Sequence, residues 1–461
     1  MTYSRREFLA LTGAAAGLGF PRAGGASGTA WSLLAREANL QLLPEGYPKT
    51  RVWAYDGTIP GNEIRIPQGS RVRKQLVNEL TEGTSVHWHG IRIDNTMDGV
   101  SGITQDAVPP GATFDYDFAV PDAGTYWYHA HNRSFEQVGR GLSGALIVEE
   151  PRSPDVDADH VLLLDDWLID PEIGRLAENF GQPMQMSHGG RTGNYVTTNG
   201  TYDLTLGARQ NERLRLRLIN ASNARIFALG IQGLSGWTVA LDGMPLPTPQ
   251  PVEDVFLLGP AQRADLFVDV TAQPGETARI LRIDRDEAIP QVSFSVTGQG
   301  AKVQRSAPAP LPSNPRMAPP DLGSATPIKL VMAGGAMGRM NSAVLNGERT
   351  NFRELAQAGY FWSLNDVANI PDTPLATFSV GEPVRMNLTN DTVFPHAMHL
   401  HGMHFRAVSD KQMGPMRDTL LIAAGETREV AFIADNPGKW LFHCHMLEHA
   451  ASGMTTWINV T

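Results

Sequence analysis

One template recurs three times along this chain, and it restricts the fold more than any other feature. It appears at Ile66 as IPQGSRVRKQLVNELTEGTSVHWHGIRI and again at Ser379 as SVGEPVRMNLTNDTVFPHAMHLHGMHF. Each copy has a Gly-marked turn, an alternating strand, an Asn, a short loop and a His-rich strand. A third copy at Leu206, LGARQNERLRLRLINASNARIFALGI, keeps the template without the histidines. A second block, VPPGATFDYDFAV then PDAGTYWYHAH from Val108, returns as IAAGETREVAFIA then DNPGKWLFHCH from Ile422. Alternation such as Arg213-Leu214-Arg215-Leu216-Arg217-Leu218 is the period-two signal of half-buried strands. The expectation is an all-β chain of three consecutive β-sandwich or Greek-key barrel domains, with helix confined to pieces such as a turn around 354–358.

The 461 residues have room for about three domains. Two proline-bearing stretches, 151–157 and 306–320, separate the repeats. This places domain 1 at 31–150, domain 2 at 151–305, a Pro-rich linker at 306–325 and domain 3 at 326–461. Residues 1–30 read as a signal peptide. Arg5-Arg6 precedes a mildly apolar run over 8–20, as in twin-arginine signals, so an exported or periplasmic protein is expected. The run is too short to span a membrane, and no later segment is long enough. A net charge of -10 gives no long-range attraction to nucleic acid or anionic lipid, so neither is expected as a partner. A monomer is expected.

Ten of the 13 histidines fall in four clusters: His87 and His89; His129 and His131; His396, His399 and His401; His443, His445 and His449. On a strand, residues two apart point to one face. Four His-X-His pairs therefore aim eight imidazoles at one place, two from each of four strands, and domains 1 and 3 must meet there. Eight nitrogens suit a cluster of about three ions with positions left for O2. The only cysteine, Cys444, lies between His443 and His445, so its sulfur points away from that cluster. With His396, His449 and Met454 it forms the His2CysMet set of a blue-copper electron-transfer site. Zinc accepts His2Cys too, but does not account for the Met or the eight adjoining histidines. The backbone from Cys444 to His443 and His445 is a short path for electrons between the two sites.

The segments HWHG, HAH, HAMHLHG and HCHMLEHAASGM, in that order, resemble the four copper motifs of the multicopper oxidases, whose bacterial laccase-like and copper efflux members this chain resembles most. The likeness implies cupredoxin-like domains and four copper ions per chain. It implies type 1 copper on His396, Cys444, His449 and Met454, and type 2 on His87 and His399. The type 3 pair falls to His89, His129, His131, His401, His443 and His445. Two positions depart from the family pattern. Ala397 stands where Pro is usual, and Ala450 stands where many bacterial members carry a proton-delivering Glu. Asp98 resembles the family's other carboxylate near the cluster and is the expected proton source. Its alternative role is a turn residue before Gly99.

The implied reaction is one-electron oxidation of a phenol or aromatic amine coupled to reduction of O2 to water. The alternative within the family is oxidation of Cu(I) or Mn(II). A copper-free relative would have lost the ligands that are present here, and a copper nitrite reductase needs no eight-histidine cluster. Of the remaining histidines, His404 has the wrong parity and reads as packing or surface, and His160 and His188 as surface. The loose Met groups, Met184, Met186, Met332, Met337, Met340, Met413 and Met416, are either gap fillers or Cu(I) contacts. Asp242-Gly243 reads as a plain turn.

Overall fold

The computed structural model describes residues 31–285 and 287–461. The paired arginines and the apolar run after them lie outside the described residues. Three two-sheet units follow one another, with strands spanning 32–149, 158–299 and 326–460. Their topology repeats. In each unit the opening strand runs parallel to the template strand, which pairs antiparallel with a third strand; in domains 1 and 3 that strand belongs to the second block. These triplets are Ser32–Leu40, Arg71–Asn78 and Thr113–Ala119; Ala158–Trp167, Arg213–Asn220 and Arg263–Val270; and Thr326–Gly334, Glu382–Asn390 and Thr427–Ala434. Parallel neighbours that are distant in sequence require the chain to cross between sheets, as in a Greek key.

The recurring Asn closes the same loop in each copy. Asn220 Nδ2 donates to the carbonyls of Arg225 (2.8 Å) and Leu258 (2.9 Å), and its Oδ1 accepts from Ser222 N (3.0 Å). Asn78 bonds Glu82, Val108 and Leu80 in the same way, and Asn390 bonds Phe394, Ala423 and Thr392. One side chain thus satisfies the backbone groups that a strand-to-loop bend frees from the ladder.

The alternating Arg-Leu strand differs from expectation. Arg213–Asn220 is buried on both faces. Its leucines enter the domain 2 core. Its arginines face neighbouring segments instead of water: Arg215 pairs with Glu150 (2.8 Å) and Asp265 (2.6 Å), Arg217 donates to Thr125 Oγ1 (2.9 Å), and Arg213 reaches Ser306 O (2.7 Å). Period two sorts side chains by face, but what covers the polar face is decided by tertiary contacts.

Domains 1 and 3 share one continuous apolar cluster, whereas most of domain 2 packs around its own. The Pro-rich segment is strapped to domain 1. Asn314 exchanges hydrogen bonds with the Ala123 backbone (2.8 and 2.9 Å), and Arg92 donates to Arg316 O (3.1 Å). Helices are short. The expected turn forms as Phe352–Gln357, with Asn351 Oδ1 accepting from Glu354 N. Among the described residues no helix is long and apolar enough to cross a membrane.

Candidate metal centre

The first and second histidine strands, Val86–His89 and Gly124–Ala130, are antiparallel neighbours with His87 opposite His129. In domain 3, His396–Leu400 and Gly438–Cys444 pair with His399 opposite His443. Each His-X-His therefore presents both rings to one side of its sheet. The two sheets meet at these rings. His89 stacks on His399 at 3.8 Å between centroids, and His87 lies 3.9 Å from His401. His445 Nε2 is 3.4 Å from His129 Nε2, and His401 Nε2 is 3.0 Å from His443 Nε2. Seven of the eight rings are buried and His131 is half-buried.

A hydrogen bond on one nitrogen fixes which nitrogen of each ring is free. His87 Nδ1 donates to Asp98 O (2.9 Å) and His399 Nδ1 to Asp418 O (2.9 Å), and both Nε2 atoms lack a partner. His129 and His443 use Nδ1 on the carbonyls of Ala130 (3.1 Å) and Cys444 (2.8 Å). His401 Nδ1 donates to Asp98 Oδ2 (2.9 Å). His89 is reversed: Nε2 lies 3.2 Å from Asp418 Oδ1 and Nδ1 is left free. Burial, and then the adjoining rings, push His89, His129, His131, His401, His443 and His445 below the usual imidazole pKa, so these rings are neutral. Lone pairs facing across 3.0 Å, as on His401 and His443, repel each other unless cations lie beside them. The donor set therefore fits bound metal ions. The donor atoms approach one another in overlapping sets, among them His131, His401 and His443; His87, His89 and His129; and His87, His399 and His401.

Across the strand from that cluster, Cys444 Sγ lies 3.6 Å from His396 Nδ1 and 3.7 Å from His449 Nδ1. The far nitrogens are occupied, His396 Nε2 by Thr392 Oγ1 (2.8 Å) and His449 Nε2 by His188 O (2.6 Å). Met454 is fully buried beside them, its backbone bonded to Cys444 N (3.1 Å) and His449 O (2.9 Å). Burial pushes the Cys444 thiol up to about 12, so it becomes a thiolate only with a cation beside it.

Asp98 is buried at the bend after the Asn95–Met97 turn and touches two cluster rings: Oδ1 is 3.2 Å from His87 Nδ1 and Oδ2 is bonded to His401. Gly99 makes that placement possible. It has φ +78°, and a Cβ there would lie 1.8 Å from Val86 O. Asp98 is thus both the turn residue and a cluster contact.

Asp418 has no counterpart in the sequence reading. Its carbonyl takes His399, its Oδ1 takes His89, and Arg263 of domain 2 grips the carboxylate from behind at 2.8 and 2.5 Å. Burial alone would push this carboxyl up; Arg263 and the two histidines outweigh it and hold it well below the usual range. Asp98 and Asp418 are mates across a local two-fold. Each holds the histidine of its own domain with its carbonyl and one of the other domain with its carboxylate. Asp98 follows His87 by 11 residues and Asp418 follows His399 by 19, because the hairpin Phe405–Arg417 intervenes. Asp242, read as a plain turn, is buried and accepts from Arg417 Nε (2.9 Å) and Arg263 N (2.9 Å). Glu448, one residue before His449, accepts from Asn223 of domain 2 (2.8 Å), and burial raises its carboxyl to about 7. His404 is buried, with its Nε2 3.6 Å from Asp418 Oδ2, and His160 and His188 are half-buried.

Sequence signatures described as multicopper oxidase match residues 38–153, 158–278 and 344–461. The multicopper oxidase MmcO of Mycobacterium tuberculosis is 29% identical over 98% of this chain and 96% of its own length. The crystal structure of a multi-copper oxidase from Pseudomonas thermotolerans is 33% identical, covers 94% of this chain and 98% of its own, and superposes with a TM-score of 0.81. Lac15 from a marine microbial metagenome is 40% identical over 93% of this chain and all of its own, with a TM-score of 0.76. A chain whose four histidine strands converge from domains 1 and 3, and whose three parts each match a multicopper oxidase signature, belongs to the multicopper oxidase family and is an oxidoreductase.

Proposed function

We propose that the chain is a laccase-like oxidase that takes single electrons from a phenol or aromatic amine and delivers them in fours to O2, giving water. One copper would be held by His396, Cys444, His449 and Met454. One would be held by His87 and His399, and two by His89, His129, His131, His401, His443 and His445. Bound copper supplies the redox chemistry at both places. One observation carries the proposal: Cys444 Sγ belongs to the first donor set, while His443 and His445 on either side belong to the cluster. The strand itself links electron entry to O2.

The remaining roles fall to the protein. The rings of His188 and Phe394 stand edge to face at 5.9 Å, where His188 O takes the His449 ring, an aromatic rim suited to a flat donor. Burial of Cys444 and both imidazoles keeps water from the thiolate. A cavity of about 300 Å³ opens onto His131 and His443 and gives O2 a route. Ala450 lies in its wall, so this opening lacks the Glu common in bacterial members. Asp98, with Oδ1 3.2 Å from His87 Nδ1 and Oδ2 on His401, supplies protons to the cluster. We also infer export through a twin-arginine signal, from Arg5-Arg6 and the apolar run over 8–20.

A second reading, oxidation of Cu(I) or Mn(II), has its own observation. Met184 and Met337 are 67% and 79% exposed, and their segments are joined by Ala336 N to Ser187 O (2.7 Å) beside His188. Soft thioethers favour Cu(I).

The test is Cys444→Ser with copper counted by elemental analysis. Loss of an intense blue band and of turnover, with cluster copper retained, supports the electron path; surviving turnover refutes it. Parallel assays with a phenol, Cu(I) and Mn(II), repeated on Met184→Leu/Met337→Leu, separate the readings. A selective fall in Cu(I) oxidation supports the metal reading.

A further inference from the structure

The structure assigns a second ligand site, independent of copper, for a small aromatic monocarboxylate between the Pro-rich strap and the outer sheet of domain 3. A cavity of about 270 Å³ lies there, against Phe405–Ser409 and Thr427–Ala434. Three guanidinium groups converge on it. Arg92 is neutralised by a two-toothed bond to Asp122 (2.7 and 2.5 Å), and Arg316 by Asp435 at 3.4 Å. Arg406 has no carboxylate partner among the described residues. Its terminal nitrogens reach only the carbonyls of Gly414 (3.1 Å) and Met317 (2.8 Å), and its Nε is buried without a partner. Three cations against two carboxylates leave one uncompensated positive charge.

A half-buried cation held by carbonyls alone is a costly arrangement, and a bound anion relieves it. His404 is the independent sign of a ligand. It forms part of the cavity wall, is 5% exposed, and neither ring nitrogen has a hydrogen-bond partner. Buried polar groups are rarely left so. Its Nε2 is 3.6 Å from Asp418 Oδ2, too far for a hydrogen bond. The rest of the wall is apolar, with Phe432, Met416 and Ala431 among it. One net positive charge calls for a monoanion, the apolar wall for a flat hydrocarbon body, and the volume for a single ring. Arg316, with its backbone at φ 51° on the strap, stands at the half-exposed mouth.

The experiment is calorimetric titration of the copper-loaded full-length protein with benzoate, benzamide, inorganic phosphate and chloride. One benzoate per chain is expected, with benzamide and the inorganic anions binding at least tenfold more weakly. Arg406→Met should weaken benzoate roughly tenfold to hundredfold, the worth of a charge-assisted hydrogen bond. Ala318→Trp, an exposed position on the strap at the cavity, should block binding without touching a charge. It keeps the test valid if the Arg406 variant fails to fold. Absence of saturable benzoate binding in the millimolar range overturns the assignment, as does equal binding of benzamide. Benzoate binding that survives both substitutions would place the anion at the copper cluster or elsewhere, and also overturns it. Tighter binding of phosphate would replace the ligand class.

Discussion

Replacing Arg263 with Met should damage the metal cluster although Arg263 belongs to the domain that supplies no histidine. Its side chain is fully buried and makes two bonds to Asp418, with Asp242 3.8 Å away. Met keeps the volume and removes the charge, leaving Asp418 and Asp242 buried with less compensation. Breaking one partner of a buried pair costs about 3–5 kcal/mol. For a cooperative unit of ~150 residues, unfolding entropy near 2.1 cal/mol/K per residue converts this to a fall of roughly 10–15 °C in melting temperature. The chemistry at the cluster should change too. Without Arg263, burial drives Asp418 toward its neutral form, and His89 loses the acceptor that keeps its Nδ1 free. The assay is thermal unfolding of copper-depleted protein, which isolates the charge effect from metal binding, together with copper content after reconstitution. Asp418→Asn is the companion variant; it should also lower stability, since it strands Arg263. A melting temperature within about 3 °C of wild type, together with full copper in Arg263→Met, would refute the reasoning.

Gly99→Ala should cost more than about 3 kcal/mol, since it combines a strained positive φ with a Cβ at 1.8 Å from Val86 O; an unchanged melting temperature and copper content would contradict this. Asn220→Ala and Asn390→Ala should each cost about 2–3 kcal/mol by orphaning loop carbonyls. Only the second should shift the blue absorption, because Asn390 Oδ1 holds Thr392, whose Oγ1 meets His396 Nε2; equal spectra would remove that link. Burial would raise the Asp159 carboxyl, but Arg217 and its neighbours outweigh it and hold the pKa below the usual value. A depressed folded pKa contributes stability above the unfolded value and loses it as pH falls through the folded one. Melting temperature should therefore drop below about pH 4, and Asp159→Asn should flatten that drop.

The repeats made the three-domain layout and the histidine strands legible, because strand parity converts sequence spacing directly into direction. Cys444 was placed by the same parity, on the opposite face from His443 and His445. Parity does not reach the residues that hold the rings. Asp418 sits on no histidine strand, and the hairpin before it breaks the register that would have paired it with Asp98. Arg263 carries no local signal of its role, since its partner lies 155 residues away. The Arg-Leu strand failed in the other direction: its polar face signalled solvent, yet Glu150, Thr125 and the strap cover it.

Domain 2 lost the histidines, but its template was not left idle. Arg263 lies on the strand that pairs with the Arg-Leu strand, and it bonds both halves of the cluster. Its Nε donates to Thr125 O (3.2 Å), on the strand that carries His129, and its terminal nitrogens hold Asp418, which fixes His89 and His399. Arg217 adds a bond to the Thr125 side chain. Domains 1 and 3 have matching faces, and a match alone permits sliding along the interface. An arginine from a third body, bonded to a strand of one and a carboxylate of the other, removes that freedom. The rings at this interface must hold positions within a fraction of an ångström to act as one donor set. The third copy of the template therefore fixes the register of the other two.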